Sequence, residues 1–228
     1  MELSSLTARV DAYCERTDFS FWSEPVNAVT NAAFIIAAIV GLIAARRAGR
    51  LDAPVLLLVT LVFAIGTGSF LFHTLATRWA GIADVLPILL LIISYLTIAL
   101  RRFFGLAWLL SVVIGLAYIP ASFAITAGVG LLFGDALRGG AGYLPALLAL
   151  AVCGVLLAVK GAPAGRGLLL AAGLFAVSLT FRTIDAPLCP AWPLGTHFVW
   201  HVFNGLLLGQ LILLVVRAGP APLGKGRR

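Results

Sequence analysis

The chain has 228 residues, of which 61% are apolar and only 11% charged, and its mean hydropathy is +1.08; an ordinary soluble domain, with about 25% charged residues, is excluded. Disorder is excluded as well, because so apolar a chain has far more to bury than its ordering costs. The formal net charge of +7 does not point to nucleic acid, since lysine and arginine in a membrane protein usually mark the cytoplasmic loops.

In chain order, residues 1–24 form a polar, acidic segment without the basic-then-apolar pattern of a signal peptide, so the first span is expected to direct insertion. A transmembrane helix needs about 20 mostly apolar residues. Runs of that kind fall at roughly 25–45, 53–74, 82–100, 104–123, 142–159, 167–181 and 196–216, joined by short connections. The stretch 104–133 is too long for one span and too short for two. Pro120 is expected to kink or end its helix, leaving a loop or partial helix before the glycine-rich turn at 134–142. Residues 217–228 read as a basic tail near anionic lipid. The expected fold is an all-α integral membrane protein: one seven-helix bundle over 25–216 and no soluble domain.

Alternate connections must lie on opposite sides of the bilayer. Arg46, Arg47, Arg50, Arg101, Arg102, Lys160, Arg166 and the basic tail fall on one side, with Asp52 as its one acid. The other side carries the remaining eight of the nine acids. The charge bias therefore places the N-terminus outside and the C-terminus in the cytoplasm, as an odd number of spans requires.

Ionisable groups inside spans are costly and are functional candidates by default. All three histidines fall in or at the ends of spans: His73 ends the second, and His197 and His201 open the seventh. The last two are spaced i, i+4 and so share one helix face. Because the second span runs outward and the seventh inward, the three imidazoles reach one depth near the outer surface. Asp84 begins the third span at that depth, and Ser69 lies one turn below His73 on the same face. Three imidazoles with nearby polar groups suit a catalytic zinc, which takes three protein ligands and keeps an open position. Asp84 is then suited to serve as general base or to orient the water, and Ser69 to donate to the developing oxyanion. Taken singly, a membrane histidine also bonds across helices, Ser69 also suits helix packing, and Asp84 also suits a helix cap.

Before the first span, Asp11, Glu15, Asp18 and Glu24 crowd a short segment that also offers backbone carbonyls. That is compatible with a calcium site, although spacing alone favours a solvated acidic loop that follows the charge bias. Trp22, Trp79 and Trp192 sit at the outer boundary as an aromatic belt. Cys14 and Cys189 both fall in outer loops, where disulfides persist, and are paired here; Cys153 is mid-span and only packs.

These motifs resemble the alkaline ceramidases, seven-helix intramembrane zinc amidases, from about Asp11 to Val216. The matching residues are Cys14-Glu15 with Glu24, Asn27 and Asn31; Ser69-x-x-x-His73 with Asp84; Arg182-Thr183-Ile184-Asp185 with Cys189; and His197-x-x-Trp200-His201. The resemblance implies that His73, His197 and His201 bind zinc and that Ser69 and Asp84 assist attack of water on the ceramide amide. It also implies a Cys14–Cys189 disulfide and a calcium site formed by Asp11, the Tyr13 carbonyl, Glu15, Asp18 and Glu24. The chain departs from the usual Asp-Trp-Cys-Glu run by reading Asp11-Ala12-Tyr13-Cys14-Glu15, and Thr17 stands where an asparagine ligand is usual.

The expected partners are a lipid substrate, ceramide or another N-acyl lipid, and the surrounding membrane lipids. No nucleic acid and no obligate protein partner are expected. The Ala-, Gly-, Leu- and Arg-rich usage suggests a bacterial inner membrane, with the site near its outer face. The alternative is a seven-helix receptor of the progestin and adiponectin receptor type, which shares the serine, aspartate and three-histidine pattern; its N-terminus lies inside, opposite to the charge split here.

Overall fold

A computed structural model describes residues 3–219. After a short helix α1 (Leu3–Leu6), the chain forms α2 (Pro25–Thr30), which continues as α3 (Ala32–Arg47), then α4 (Ala53–Leu75), α5 (Arg78–Phe103) and α6 (Trp108–Phe133). A 3₁₀ turn (Gly140–Tyr143) leads into α7 (Leu144–Val159), followed by α8 (Pro163–Leu188) and α9 (His197–Ala218). With α2 and α3 taken as one segment and the 3₁₀ turn joined to α7, seven helices of the described residues are long and apolar enough to cross a membrane. The described residues are all-α, as the long apolar runs of the sequence lead one to expect. Most of the basic tail, 220–228, lies outside the described residues.

Three spans differ clearly in extent from the sequence expectation, α8 by running from Pro163 to Leu188 rather than over 167–181. Pro120 lies inside α6, which runs on to Phe133 rather than ending; a membrane helix tolerates the lost donor because local adjustments re-satisfy the backbone. Helix α5 begins at Arg78 rather than near 82, so Asp84 sits inside the helix and Thr77 occupies the N-cap position. The capping role open to Asp84 is thereby removed.

Helix α9 is the most buried span and α6 the least. Leu207, Leu211, Ile212 and Val215 of α9 pack with Val55, Leu58, Val62 and Ile65 of α4 and with Leu168 and Phe175 of α8. Small residues let backbones meet where lipid gives no hydrophobic drive. A Cβ at Gly205 would stand 2.7 Å from the Ala33 side chain, and one at Gly209 would stand 3.4 Å from that of Ala37, so α3 and α9 lie almost in backbone contact. At the basic end, Arg50 and Arg102 donate to the Val216 and Val215 carbonyls, placing cations on the C-terminal pole of α9. Arg102 also pairs with Asp52, whose side chain accepts from Val55 N and caps α4.

At the opposite end the N-terminal segment lies across the α4–α5 turn. Val10 N donates to the Ala76 carbonyl and Arg78 N to that of Ala8, while Arg9 reaches the Leu75 carbonyl. A disulfide joins Cys14 to Cys189, with 5.3 Å between the Cα atoms, as expected from their shared compartment. Trp22, Trp79 and Trp192 are all exposed.

Candidate metal centre

His73 comes from the last turn of α4, and His197 and His201 from the first turns of α9; the helical i, i+4 spacing puts the latter pair on one face. All three are at most 2% exposed. One potential ligand atom from each lies within 4.8 Å of the others, so the three could hold a metal ion. Nε2 of His73, Nε2 of His201 and Nδ1 of His197 are buried without a hydrogen-bond partner. Buried imidazole nitrogens without a partner are expensive unless something binds them, and three imidazoles this close together suit zinc.

The other ring nitrogens carry supporting contacts. His73 Nδ1 donates to Glu24 Oε2 at 2.6 Å, since a carboxylate can only accept. Thr30 Oγ1 donates to the Val26 carbonyl at 2.7 Å and so accepts from His201 Nδ1 at 3.0 Å. In both rings the proton is held at Nδ1 and the Nε2 lone pair is left for a ligand, as in metal-binding histidines generally. The Tyr13 ring stacks on His197 with 3.6 Å between centroids and closes the site from the N-terminal side.

Asp185 closes the Arg182-Thr183-Ile184-Asp185 motif, whose residues alone indicate no role for it. Its Oδ1 accepts from Thr196 N at 2.6 Å and His197 N at 2.9 Å, and its Oδ2 from Cys14 N at 3.1 Å. A buried acid thus holds the entry of α9, where the helix dipole favours negative charge, and the disulfide residue at once. Gly195 makes this possible: its φ is +66°, and a Cβ there would collide with Asp185 Oδ1 and stand 2.6 Å from Cys14 Cβ.

Ser69 and Asp84 come together across α4 and α5, close enough for their side chains to interact. Gly68 lets them, because a Cβ at this position would run into the Ala83 carbonyl. Both line a cavity of about 110 Å³ together with Tyr13, His197 and His201. From this polar end the cavity follows α5 through Ile88, Leu91 and Tyr95 to Ala99, a rise of about 22 Å at 1.5 Å per residue. Its walls are mostly apolar, and Cys153, expected only to pack, is among them.

The acidic segment behaves differently. Glu15 accepts from Val26 N at 2.7 Å and Asn27 N at 2.8 Å, capping α2; burial pushes its carboxyl above the usual range. Glu24 pairs with the Arg16 guanidinium at 2.5 Å, and its other oxygen takes His73 and Asn27 Nδ2. Burial opposes ionisation of Glu24, yet His73, Arg16 and Asn27 outweigh it and hold its carboxyl below the usual range. Asp18 Oδ1 accepts from the Ser20 hydroxyl and backbone N–H, Asp11 is exposed, and the Tyr13 carbonyl accepts from Arg16 N. A guanidinium stands among oxygens already engaged, and these residues do not fit a calcium ion. The pairing of Arg16 with Glu24 leaves no signal in the sequence beyond their proximity.

A model of the ceramidase family matches residues 5–218, nearly the whole described chain. The chain belongs to that family. Nothing among curated proteins matches it.

Proposed function

We propose that this ceramidase-family protein is a zinc-dependent intramembrane amidase that hydrolyses the N-acyl bond of ceramide or a related N-acyl lipid to a sphingoid base or other amine and a fatty acid. The observation that carries the reading is the three buried histidines whose ligand atoms lie within 4.8 Å of one another, two of which, His197 and His201, line the polar end of an apolar cavity with Ser69 and Asp84. His73, His197 and His201 would hold the zinc, which when bound lowers the pKa of water towards 7 and polarises a carbonyl.

The protein residues supply the remainder. The acyl chain lies along the α5 wall of the cavity, which excludes water from all but the polar end. Asp84 takes the proton of the attacking water and passes it to the leaving nitrogen, so that one water adds across the C–N bond and amine and acid depart. The Ser69 hydroxyl donates to the substrate carbonyl oxygen as negative charge develops there. Tyr13 and the Cys14–Cys189 bridge hold the N-terminal segment over the histidines.

The charge bias supports an organisation of outer segment 1–24, membrane domain 25–216 and cytoplasmic tail 217–228, in a bacterial inner membrane with the site near the outer leaflet. The family match over residues 5–218 favours the amidase over the receptor reading. Metal analysis of detergent-purified protein beside His197→Ala, together with release of fatty acid from a panel of N-acyl lipids, tests the proposal. About one zinc per chain, lost with turnover in the variant, is expected. Zinc-free protein, or full turnover in His197→Ala, refutes it.

A further inference from the structure

Arg16 is 6% exposed and its guanidinium is ringed by oxygens. Nε donates to Glu24 Oε1 at 2.5 Å, Nη2 to the His73 carbonyl at 2.7 Å and Nη1 to the Asp18 carbonyl at 3.0 Å. One carboxylate and two main-chain carbonyls around a buried positive charge is the kind of cage a hard cation holds. The remaining acids do not build a second one. Glu15 is spent on the α2 N-terminus, and Asp18 turns its carboxylate to Ser20.

We propose that the Arg16 guanidinium is the built-in cation of this outer segment: it stands in place of the calcium ion that the acidic loop resembles, and through Glu24 it fixes the orientation of His73. The charge is covalently attached and permanent, since arginine does not deprotonate in proteins, so the segment keeps its cation whatever the medium holds. Without it, Glu24 would be a buried carboxylate facing only His73 and the Asn27 amide, and a buried charge left without its partner is strongly unfavourable. Arg16 is therefore a positioning residue. Its guanidinium bonds neither a residue of the cavity lining nor a histidine ring nitrogen, and it acts on His73 from two directions, through the Glu24 carboxylate and through the His73 carbonyl.

The calcium half of this proposal is independent of the zinc reading, whereas the His73 half rests on it. The full chain in detergent is tested by equilibrium dialysis against radioactive calcium and by thermal unfolding across zero to millimolar calcium. Wild type is expected to bind no stoichiometric calcium and to melt at an unchanged temperature. One calcium bound per chain overturns the proposal. Zinc affinity is then measured by competition with a chromophoric chelator for wild type, Arg16→Lys and Arg16→Gln. Arg16→Gln is expected to bind zinc about 10–100-fold more weakly, the range for lost supporting contacts, and Arg16→Lys, which keeps a cation but not the fork, to lie between it and wild type. Arg16→Gln with wild-type zinc affinity overturns the His73 half. Should Arg16→Gln fail to unfold cooperatively, wild-type calcium binding and the Arg16→Lys affinity still decide. Zinc-free wild type strikes the amidase reading and leaves the calcium result standing.

Discussion

Glu24 and His73 are 49 positions apart in the chain and meet in a 2.6 Å hydrogen bond at 3% and 0% side-chain exposure. The carboxylate fixes the proton of the ring on Nδ1, and the unpartnered Nε2 is thereby committed to the site. Glu24→Ala is expected to weaken zinc binding about 10–100-fold, read by chelator competition, while the family fold, read by circular dichroism, is kept.

Thr30 does for His201 what Glu24 does for His73, with a weaker acceptor. Thr30→Val keeps the shape and removes the hydroxyl. About 10-fold weaker zinc binding is expected, at the lower end of the range for such contacts, and a double variant with Glu24→Ala should lose more than either alone.

Asp84 and Ser69 touch each other rather than forming part of the three-histidine cluster. Asp84→Asn should therefore retain zinc and lose about 10²–10⁴-fold in turnover, the usual worth of a positioned acid–base group. Ser69→Ala should also retain zinc and lose about 10²–10³-fold if its donation is that of an oxyanion contact. Elemental analysis beside steady-state kinetics on one preparation separates these losses from loss of metal.

Gly195→Ala places a Cβ at φ +66° against Asp185 Oδ1. Residues held in this region cost about 1–3 kcal/mol each, and here the carboxylate that caps α9 must also move. A lowered melting temperature with weakened zinc binding is expected, because His197 N is one of the groups Asp185 holds.

Reduction of the Cys14–Cys189 bridge, or Cys14→Ser, releases the segment whose neighbouring Tyr13 stacks on His197. Bridges closing long loops typically contribute about 2–4 kcal/mol. The reduced protein should melt earlier, and its loss of zinc to a chelator, followed by stopped flow, should be faster.

Much of the site was legible because it is carried by local patterns. The His197-x-x-x-His201 spacing shares a helix face whatever surrounds it, and the alternation of span direction brings His73 to the same level. Cys14 and Cys189 could be paired from compartment alone. The acidic segment stayed ambiguous in the sequence because a count of carboxylates does not say which atoms those carboxylates already hold. Glu15 caps a helix, Asp18 folds onto Ser20, and Arg16 fills the remaining place. Asp84 looked like a cap because apolar runs mark where hydropathy rises, whereas α5 starts a full turn earlier at Arg78, where the backbone leaves the α4–α5 turn.

The sequence by itself determined the seven apolar helices, the residues too polar to lie in lipid without a purpose, and the end of the bundle at which they gather. Those follow from transfer energies and helical periodicity, which are properties of short segments. Only the tertiary structure decided which nitrogen of each histidine is left open, that Gly68 brings Ser69 to Asp84, and that Asp185 rather than Asp84 holds a helix entry. It also decided that an arginine, not a loose cluster of acids, supplies the charge behind Glu24. Each of these depends on contacts between residues tens of positions apart, where a difference of an ångström in backbone approach determines whether two polar atoms meet.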